Sequence, residues 1–325
     1  IQLFMAEVPG PTPDKLSPKI QQTAIRLWGI YILFTAIEAL LLWMGGMSLF
    51  DGVCHAFATM ATGGFSTKQA SVAFWPSPFI QYVIIFFMFL AGTNFSLLYV
   101  ALKGNLKRLF HDEEFRYYLL FVLGFTVVIF SGLLITTTLG VEQAFRDALF
   151  QVVSVITTTG FATTDYLVWK PVLYVLLFAL FFFGGSAGST GGGIKIVRIV
   201  MLLKNSYYEL RRIIHPNAVI PVRLNKHSVD AKIITNVLAF FMFYLLVFFV
   251  STILFVFIDP DLESAMGAVA TSLGNIGPGL GNLGPAVTFD HVAPLGKWFL
   301  SFLMLLGRLE LFTVLVLFTP AFWKE

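Results

Sequence analysis

The stretch from residue 233 to 258, "IITNVLAFFMFYLLVFFVSTILFVFI", runs 26 residues without a charge. An α-helix needs about 20 apolar residues to cross the hydrocarbon core of a bilayer. Inside lipid every backbone polar group must be satisfied within the protein, so such a run reads as a spanning helix. Similar runs lie near 27–47, 79–101, 117–138, 171–203 (interrupted) and 295–319. Six candidate spans follow, and the chain is expected to be an all-α polytopic membrane protein. Composition agrees: only 12% of the residues are charged, against about 25% in soluble domains.

The charges are unevenly placed. Residues 1–27, 103–116, 195–232 and the C-terminus hold 16 Lys and Arg, whereas the segments 48–77, 139–171 and 258–297 hold four, with eight carboxylates. The positive-inside rule puts the basic side, with both ends of the chain, in the cytoplasm. The acidic segments face outward, where they gather cations rather than anions. The basic linker around 204–227 is read as a positive-inside segment and a docking surface for a cytosolic protein, not as a nucleic-acid site. The single cysteine, Cys54, excludes an internal disulfide framework. The opening "IQLFMAEVPGPTPDKLSPK" lacks the features of a signal peptide and reads as a Pro-rich loop within a longer protein.

The three outward segments share one plan. Each begins with a short amphipathic stretch: "LFDGVCHAFATMA", "VEQAFRDALFQVVSVIT" and "DLESAMGAVATSL". Each then reaches a tip rich in Thr, Gly or Asn: "ATGGFST", "TTTGFATTD" and "GNIGPGLGNLGP". A return span closes the unit. Repeats of this kind are a strong architectural signal. The amphipathic stretches are too short to span and read as re-entrant, and a plain turn has no need of them. Non-helical tips survive at membrane depth only when buried in protein or lining a watery path. Rings of their carbonyl oxygens can replace the water shell of an alkali cation. The expected architecture is therefore span, re-entrant helix, tip and return span, repeated around a pore.

Ten residues inside the fourth apolar run, Gly184 to Gly193, are only Gly, Ser, Ala and Thr, six of them Gly. Gly costs about 1 kcal/mol per residue in a helix interior, so the run breaks that helix at membrane depth, behind a tip. A small, polar, mobile loop in the path is a candidate gate. The residues involved are Gly184, Gly185, Ser186, Gly188, Ser189, Thr190, Gly191, Gly192 and Gly193, with Lys195 just beyond as a loop holder or a membrane-surface anchor. Arg308 falls within another apolar run, where a charge is a functional hypothesis by default. It is read as a fixed positive charge facing the pore. The competing reading pairs it with Glu38 or Glu310.

The motifs "ATMATGGFST", "VITTTGFATTDY", "LGNIGPGLG", "GGSAGSTGGGIK" and "LLGRLELFTVLVLFTPAFWK" together resemble the TrkH branch of the Trk/Ktr/HKT superfamily of potassium transporters. The resemblance implies a potassium-channel-like, pseudo-fourfold pore of four repeats, of which this chain shows the second to fourth. It divides the chain into a cytoplasmic linker (1–25), a second repeat (26–104), a third repeat with the gate loop (105–204), a basic linker (205–227) and a fourth repeat (228–325). It implies potassium selectivity through glycines at Gly63, Gly160 and Gly277. Thr62, Thr159, Asn275 and Ile276 lead into these, and Gly64, Phe161 and Pro278 follow. K⁺ at these positions is cargo, and no covalent cofactor is expected. The implied partners are an identical subunit, a cytosolic nucleotide-binding regulatory ring of the TrkA type, and membrane lipid, in a bacterial inner membrane.

Two rival classes stay open. A proton- or sodium-coupled cation symporter needs an intramembrane carboxylate, for which only Glu38 and Glu310 qualify. A membrane hydrolase could use Ser186 in "GGSAG", but that pattern needs a strand–turn–helix and a nearby base. The histidines, His55, His111, His215, His227 and His291, fall in loops or near span ends. "GSTGGGIK" lacks the G-K-[ST] of a phosphate loop. No cluster has metal-ligand spacing, and no enzyme activity is expected.

Overall fold

The computed structural model describes residues 20–218, 220–309 and 311–323. Three repeats organise it. The first has a long helix α1 (Ile20–Met44), a short helix α2 (Leu49–Met60), and a return made of α3 (Pro78–Ala91) and α4 (Phe95–Leu102). A connecting helix α5 (Leu106–His111) follows. The second repeat has α6 (Glu113–Thr136), α7 (Val141–Ile156), α8 (Pro171–Leu180) and α9 (Ile196–Ile214). A two-stranded hairpin, β1 (Arg223–Leu224) and β2 (His227–Ser228), leads to the third repeat: α10 (Ala231–Val256), α11 (Leu262–Gly274), α12 (Pro294–Arg308) and α13 (Leu311–Val316).

Local sequence accounts for these starts and stops. The short helices carry an acid in their first turn, Asp51, Glu142 and Glu263, which suits the positive end of a helix dipole. Ser48 and Asp261 cap two of them through their side chains. Each return helix opens on proline, at Pro78, Pro171 and Pro294. The first helical turn is where a missing N–H costs nothing. The hairpin turns through Asn225 and Lys226, both at positive φ, the geometry that suits a two-residue hairpin.

Among the described residues, α1, α6 and α10 are each long and apolar enough to cross a membrane, and α3 with α4 passes the same test as one span bent by 108°. Their outer faces leave Ile32, Leu40, Val127, Val128, Phe249 and Ile253 exposed, as lipid contact requires. The short helices lie inside this shell. In α7 every residue from Phe150 to the end is buried, and the burial continues through Thr159 in the tip. A helix apolar or small on all sides belongs in the interior.

Three expectations about element extents need correction. The run 79–101 is not one continuous helix but breaks between Ala91 and Phe95, because Gly92 ends α3 and the Asn94 side chain caps α4 by accepting from Ser96 and Leu97 N–H. The run 295–319 is likewise split between α12 and α13. The basic stretch after 204 is not a plain linker, since α9 continues to Ile214 and the hairpin follows. The small hairpin also qualifies the all-α reading without altering it.

Candidate functional site

The tips of α2, α7 and α11 share one backbone course. After the helix, Thr62, Thr158 and Asn275 each adopt φ between 51° and 57°. Left-handed backbone is uncommon for non-glycine residues and costs of order 1–3 kcal/mol when imposed on them. Two residues later a glycine again has positive φ: Gly64 (65°), Gly160 (83°) and Gly277 (124°). The hydrogen bonds repeat in the same register. Gly63 and Gly64 N–H donate to Ala58 O, Thr159 and Gly160 N–H to Ser154 O, and Ile276 N–H to Thr271 O with Gly277 N–H to Thr271 Oγ1.

This register corrects the sequence alignment of the first tip. Gly64, not Gly63, is the counterpart of Gly160 and Gly277. Gly63 corresponds to Thr159 and Ile276, and Phe65 to Phe161 and Pro278. Composition could not choose between two adjacent glycines, whereas counting hydrogen bonds from the end of each helix does. Thr158, the counterpart of Thr62 and Asn275, was missed for the same reason.

The tips turn their N–H groups back onto their own helices and leave their carbonyls to one another. Among the described residues, no protein hydrogen bond reaches the carbonyls of residues 62–64, 158–160 or 275–277. The glycines sit against these oxygens. A Cβ built on Gly64 would lie 1.9 Å from Thr159 O, and one on Gly160 would lie 1.8 Å from Ile276 O. The three tips thus follow one another around a common centre, Gly64 facing the second tip's carbonyl and Gly160 the third's. On Gly277 the nearest atom would be Gly160 Cα at 3.6 Å, so the ring is open on that side.

Side chains brace the tips from behind. Ser154 Oγ donates to Phe161 O (2.6 Å) and Tyr166 Oη to Gly279 O (2.6 Å). His55 Nε2 pairs with Ser66 Oγ (2.9 Å), and the His55 ring stacks on Phe161 with centroids 5.6 Å apart. Burial pushes the His55 ring toward its neutral form. Asp51 accepts from Thr67 and Ser48 hydroxyls, which hold its carboxyl below the usual range. Phe65, the counterpart of Phe161, is 80% exposed. On α7, burial pushes Asp147 up to about 6, against the pull of the neighbouring Arg146 guanidinium. A cavity of about 340 Å³ opens beside the second tip, lined by residues including Ala162, Thr164 and Asp165.

The glycine-rich loop lies directly against the inner ends of the tips and touches all three. Thr62 Oγ1 donates to Thr190 O (2.9 Å), and Gly192 N–H donates to Thr158 Oγ1 (2.6 Å). A Cβ on Gly192 would meet Gly274 O at 2.6 Å, and one on Gly191 would meet Thr157 O at 3.0 Å. A side chain at Gly192 would force backbone to shift, and one at Gly191 would press on the Thr157 carbonyl. The break after α3 supplies further anchors: Ser186 N–H donates to Gly92 O (2.8 Å) and Thr190 N–H to Ala91 O (3.3 Å), while Gly188 O accepts from Phe95 N–H (3.2 Å). Gly184 and Gly185 bridge to the far side of the loop through Ile194 O and Ile196 N–H. Ser189 N–H donates to Ser186 O (3.1 Å), closing a turn.

The charged residues of this region also converge on the loop. Lys195, 6% exposed, donates to Gly191 O, and its Nζ lies 3.5 Å from Ser189 Oγ. It therefore meets the loop rather than the membrane surface. Arg308, the last residue of α12, donates through Nη1 to Thr190 O (2.8 Å). Glu310 lies outside the described residues. Glu38 is fully buried on α1, with both carboxyl oxygens unpartnered among the described residues. Ser186 Oγ is buried, also with no hydrogen-bond partner among the described residues. Glu114, not singled out in the sequence, accepts from Ala187 N–H (2.6 Å) and Val197 N–H (3.2 Å).

Comparison with known proteins decides the family. The family model described as "TrkH: Cation transport protein" matches residues 6–325. The chain belongs to the TrkH family. Similar TrkH relatives include the Trk system potassium uptake protein TrkH of Escherichia coli K12, 44% identical over 332 residues, covering all of this chain and 68% of that protein. The Halomonas elongata protein of the same name is 41% identical, covering 99% of this chain and 67% of its own length. The crystal structure of the potassium transporter TrkH from Vibrio parahaemolyticus superposes with a TM-score of 0.91 at 39% identity, over 99% of this chain and 69% of that one. This TrkH-family chain thus spans about two-thirds of the length of these relatives.

Proposed function

We propose that this chain forms most of a gated potassium uptake pore in a bacterial inner membrane. The observation that carries the reading is the ring of tip carbonyls. Their N–H groups are committed backward, their oxygens accept no described protein hydrogen bond, and Gly64 and Gly160 each face the next tip's oxygen. Such a ring coordinates a dehydrated cation. The relatives are named as potassium uptake proteins, which supports K⁺ as the cargo. The filter comprises Thr62, Gly63, Gly64, Thr158, Thr159, Gly160, Asn275, Ile276 and Gly277, with Phe161 and Pro278 as supports. A fourth tip would sit between Gly277 and the first tip. Phe65, exposed where Phe161 is covered, marks the face it would cover.

The loop 184–193 is the gate, held shut by Lys195 and Arg308. Arg308 places a fixed positive charge on the loop beneath the filter, which resists cation passage until both move. The basic side faces the cytoplasm by the positive-inside rule. A second copy and a cytosolic nucleotide-binding ring of the TrkA type are the partners, the ring engaging the basic α9 and hairpin. The relatives' designation as part of a Trk system supports a multi-component assembly.

Rubidium uptake into proteoliposomes carrying the full protein tests the reading. Uptake down an imposed gradient, with K⁺ favoured over Na⁺ and no dependence on a proton or sodium gradient, is expected. Uptake that needs such a gradient would move the assignment to a coupled carrier. No uptake without an added enzyme substrate would remove the pore reading altogether.

A further inference from the structure

One acceptor of the glycine-rich loop differs from the rest. Among the described hydrogen bonds, the loop's N–H groups donate to backbone carbonyls or to the Thr158 hydroxyl, except that of Ala187, which donates to the Glu114 carboxyl. Glu114 is the second residue of α6 and is 7% exposed. Its Oε1 also accepts from Val197 in the first turn of α9. A carboxylate is favoured at a helix N-terminus, and one so buried is costly unless its oxygens are hydrogen-bonded. A single oxygen therefore binds the loop on one side and the helix that follows the loop on the other.

The same end of α6 is tied to the basic face. Lys204, two turns further along α9, bridges Glu113 and also donates to Arg223 O (2.9 Å). Asn225, at the hairpin turn, accepts from Glu113 N–H (2.8 Å) and donates to Asp112 Oδ2 (2.8 Å). Displacing α9 or the hairpin relative to α6 strains these bonds and the Glu114–Val197 bond together.

We propose that Glu114 is a positioning residue of the gate, a latch that fixes the closed loop to the start of α9. Pulling α9 away from α6 releases Ala187 and lets the loop withdraw. This rests on the reading of 184–193 as a gate. It assigns the gate's sensitivity to the cytoplasmic face to one carboxyl oxygen.

The test is basal rubidium flux and K⁺/Na⁺ preference of the full protein in liposomes, without a regulatory partner, for Glu114→Gln, Glu114→Asp and Glu114→Ala. Gln keeps an acceptor oxygen at the same reach and is expected to leave basal flux within about twofold of the parent. Ala removes the acceptor and is expected to raise basal flux by roughly tenfold, the effect of about 1.4 kcal/mol. Asp, one methylene shorter, cannot serve both donors and is expected to fall between them. Preference is expected to stay unchanged in all three. Parent-like flux in both Ala and Asp would overturn the latch, as would Gln behaving like Ala, or flux and preference falling together as a merely structural role predicts. If Ala does not fold, the order of Gln and Asp decides. Gly64→Ser in the same assay separates the two readings. A flat Glu114 series beside a lost preference at Gly64 defeats the latch alone, whereas a flat Gly64→Ser defeats the filter beneath it.

Discussion

Serine substitution at Gly63 and at Gly64 should have unequal consequences, and the difference follows from one residue of register. At Gly64 the backbone has φ +65°, and a Cβ would lie 1.9 Å from Thr159 O. Ordinary contact begins near 3.4 Å, so that carbonyl or its own strand must retreat by about 1.5 Å, since dispersion contacts are optimal only at 3.5 Å and beyond. The neighbour is backbone and has no rotamer to yield. Imposing positive φ on a side-chain-bearing residue adds of order 1–3 kcal/mol. At Gly63 the nearest atoms to a Cβ belong to the Phe65 ring, at 3.2 and 3.3 Å, so a side chain, not a backbone carbonyl, has to give, and only by a few tenths of an ångström.

The assay is the reversal potential of the full protein in a bilayer under a K⁺/Na⁺ bi-ionic gradient, or rubidium uptake competed by sodium. Gly64→Ser is expected to lower K⁺ preference by at least about tenfold, because about 1.4 kcal/mol of differential coordination suffices. Gly63→Ser is expected to stay within about threefold of the parent, a change well under that 1.4 kcal/mol. Equal effects, or a larger effect at Gly63, would refute the register drawn from the hydrogen bonds and with it the equivalence of Gly64, Gly160 and Gly277.

Three further outcomes are expected. Arg308→Gln removes a charge held against the loop and weakens the bond to Thr190 O (2.8 Å); on the gate reading basal rubidium flux should rise several-fold, and a fall would count against a closing role. Thr158→Val leaves the buried Gly192 N–H without its acceptor, worth about 1–3 kcal/mol, so the loop should exchange amide hydrogens faster while the pore helices do not. Asp147→Asn bears on pH. The folded carboxyl titrates near 6, above its unfolded value near 3.9, so the native state binds the proton more tightly and the ionised group is destabilising. Native stability should therefore be lost as pH rises from 4 to 6 and level off above. Thermal unfolding of Asp147→Asn should be flatter over that window, with its advantage over the parent widest above pH 6. A steeper dependence in the Asn variant would invert the argument.

The repeat plan was legible because each unit writes it in local chemistry: a short amphipathic stretch, a tip rich in Thr, Gly or Asn, and an apolar return. The glycine loop was legible because six glycines in ten residues cannot continue a helix. What the sequence did not carry was register and distant pairing. Gly63 and Gly64 are the same residue, so composition is silent about which faces Thr159. The break at Gly92 was hidden because one glycine and one asparagine amid apolar residues can sit within a helix; what opens it is the loop, 99 residues from Ala91 in the Thr190 contact. Glu114 was hidden because its two donors lie 73 and 83 residues away, and an acid in a first helical turn reads locally as an ordinary favourable charge.

The breaks explain one another. In a bilayer core a helix that stops leaves carbonyls and N–H groups that lipid cannot satisfy. Here the carbonyls freed at Ala91 and Gly92 accept from Thr190 and Ser186 of the loop, and the loop returns a carbonyl at Gly188 to Phe95 N–H. Arg308, at the third break, and Thr62, at the foot of the first tip, share Thr190 O. Each interruption would be costly alone, and together they supply donors and acceptors to one another. Withdrawing the loop therefore exposes unpaired groups on α3 and α4 as well as its own. Only water can satisfy them at that depth, and water reaches them only along the path the loop has vacated. On the gate reading, opening and wetting are then the same event, and the closed state is stable because a half-open loop has no partner for its backbone.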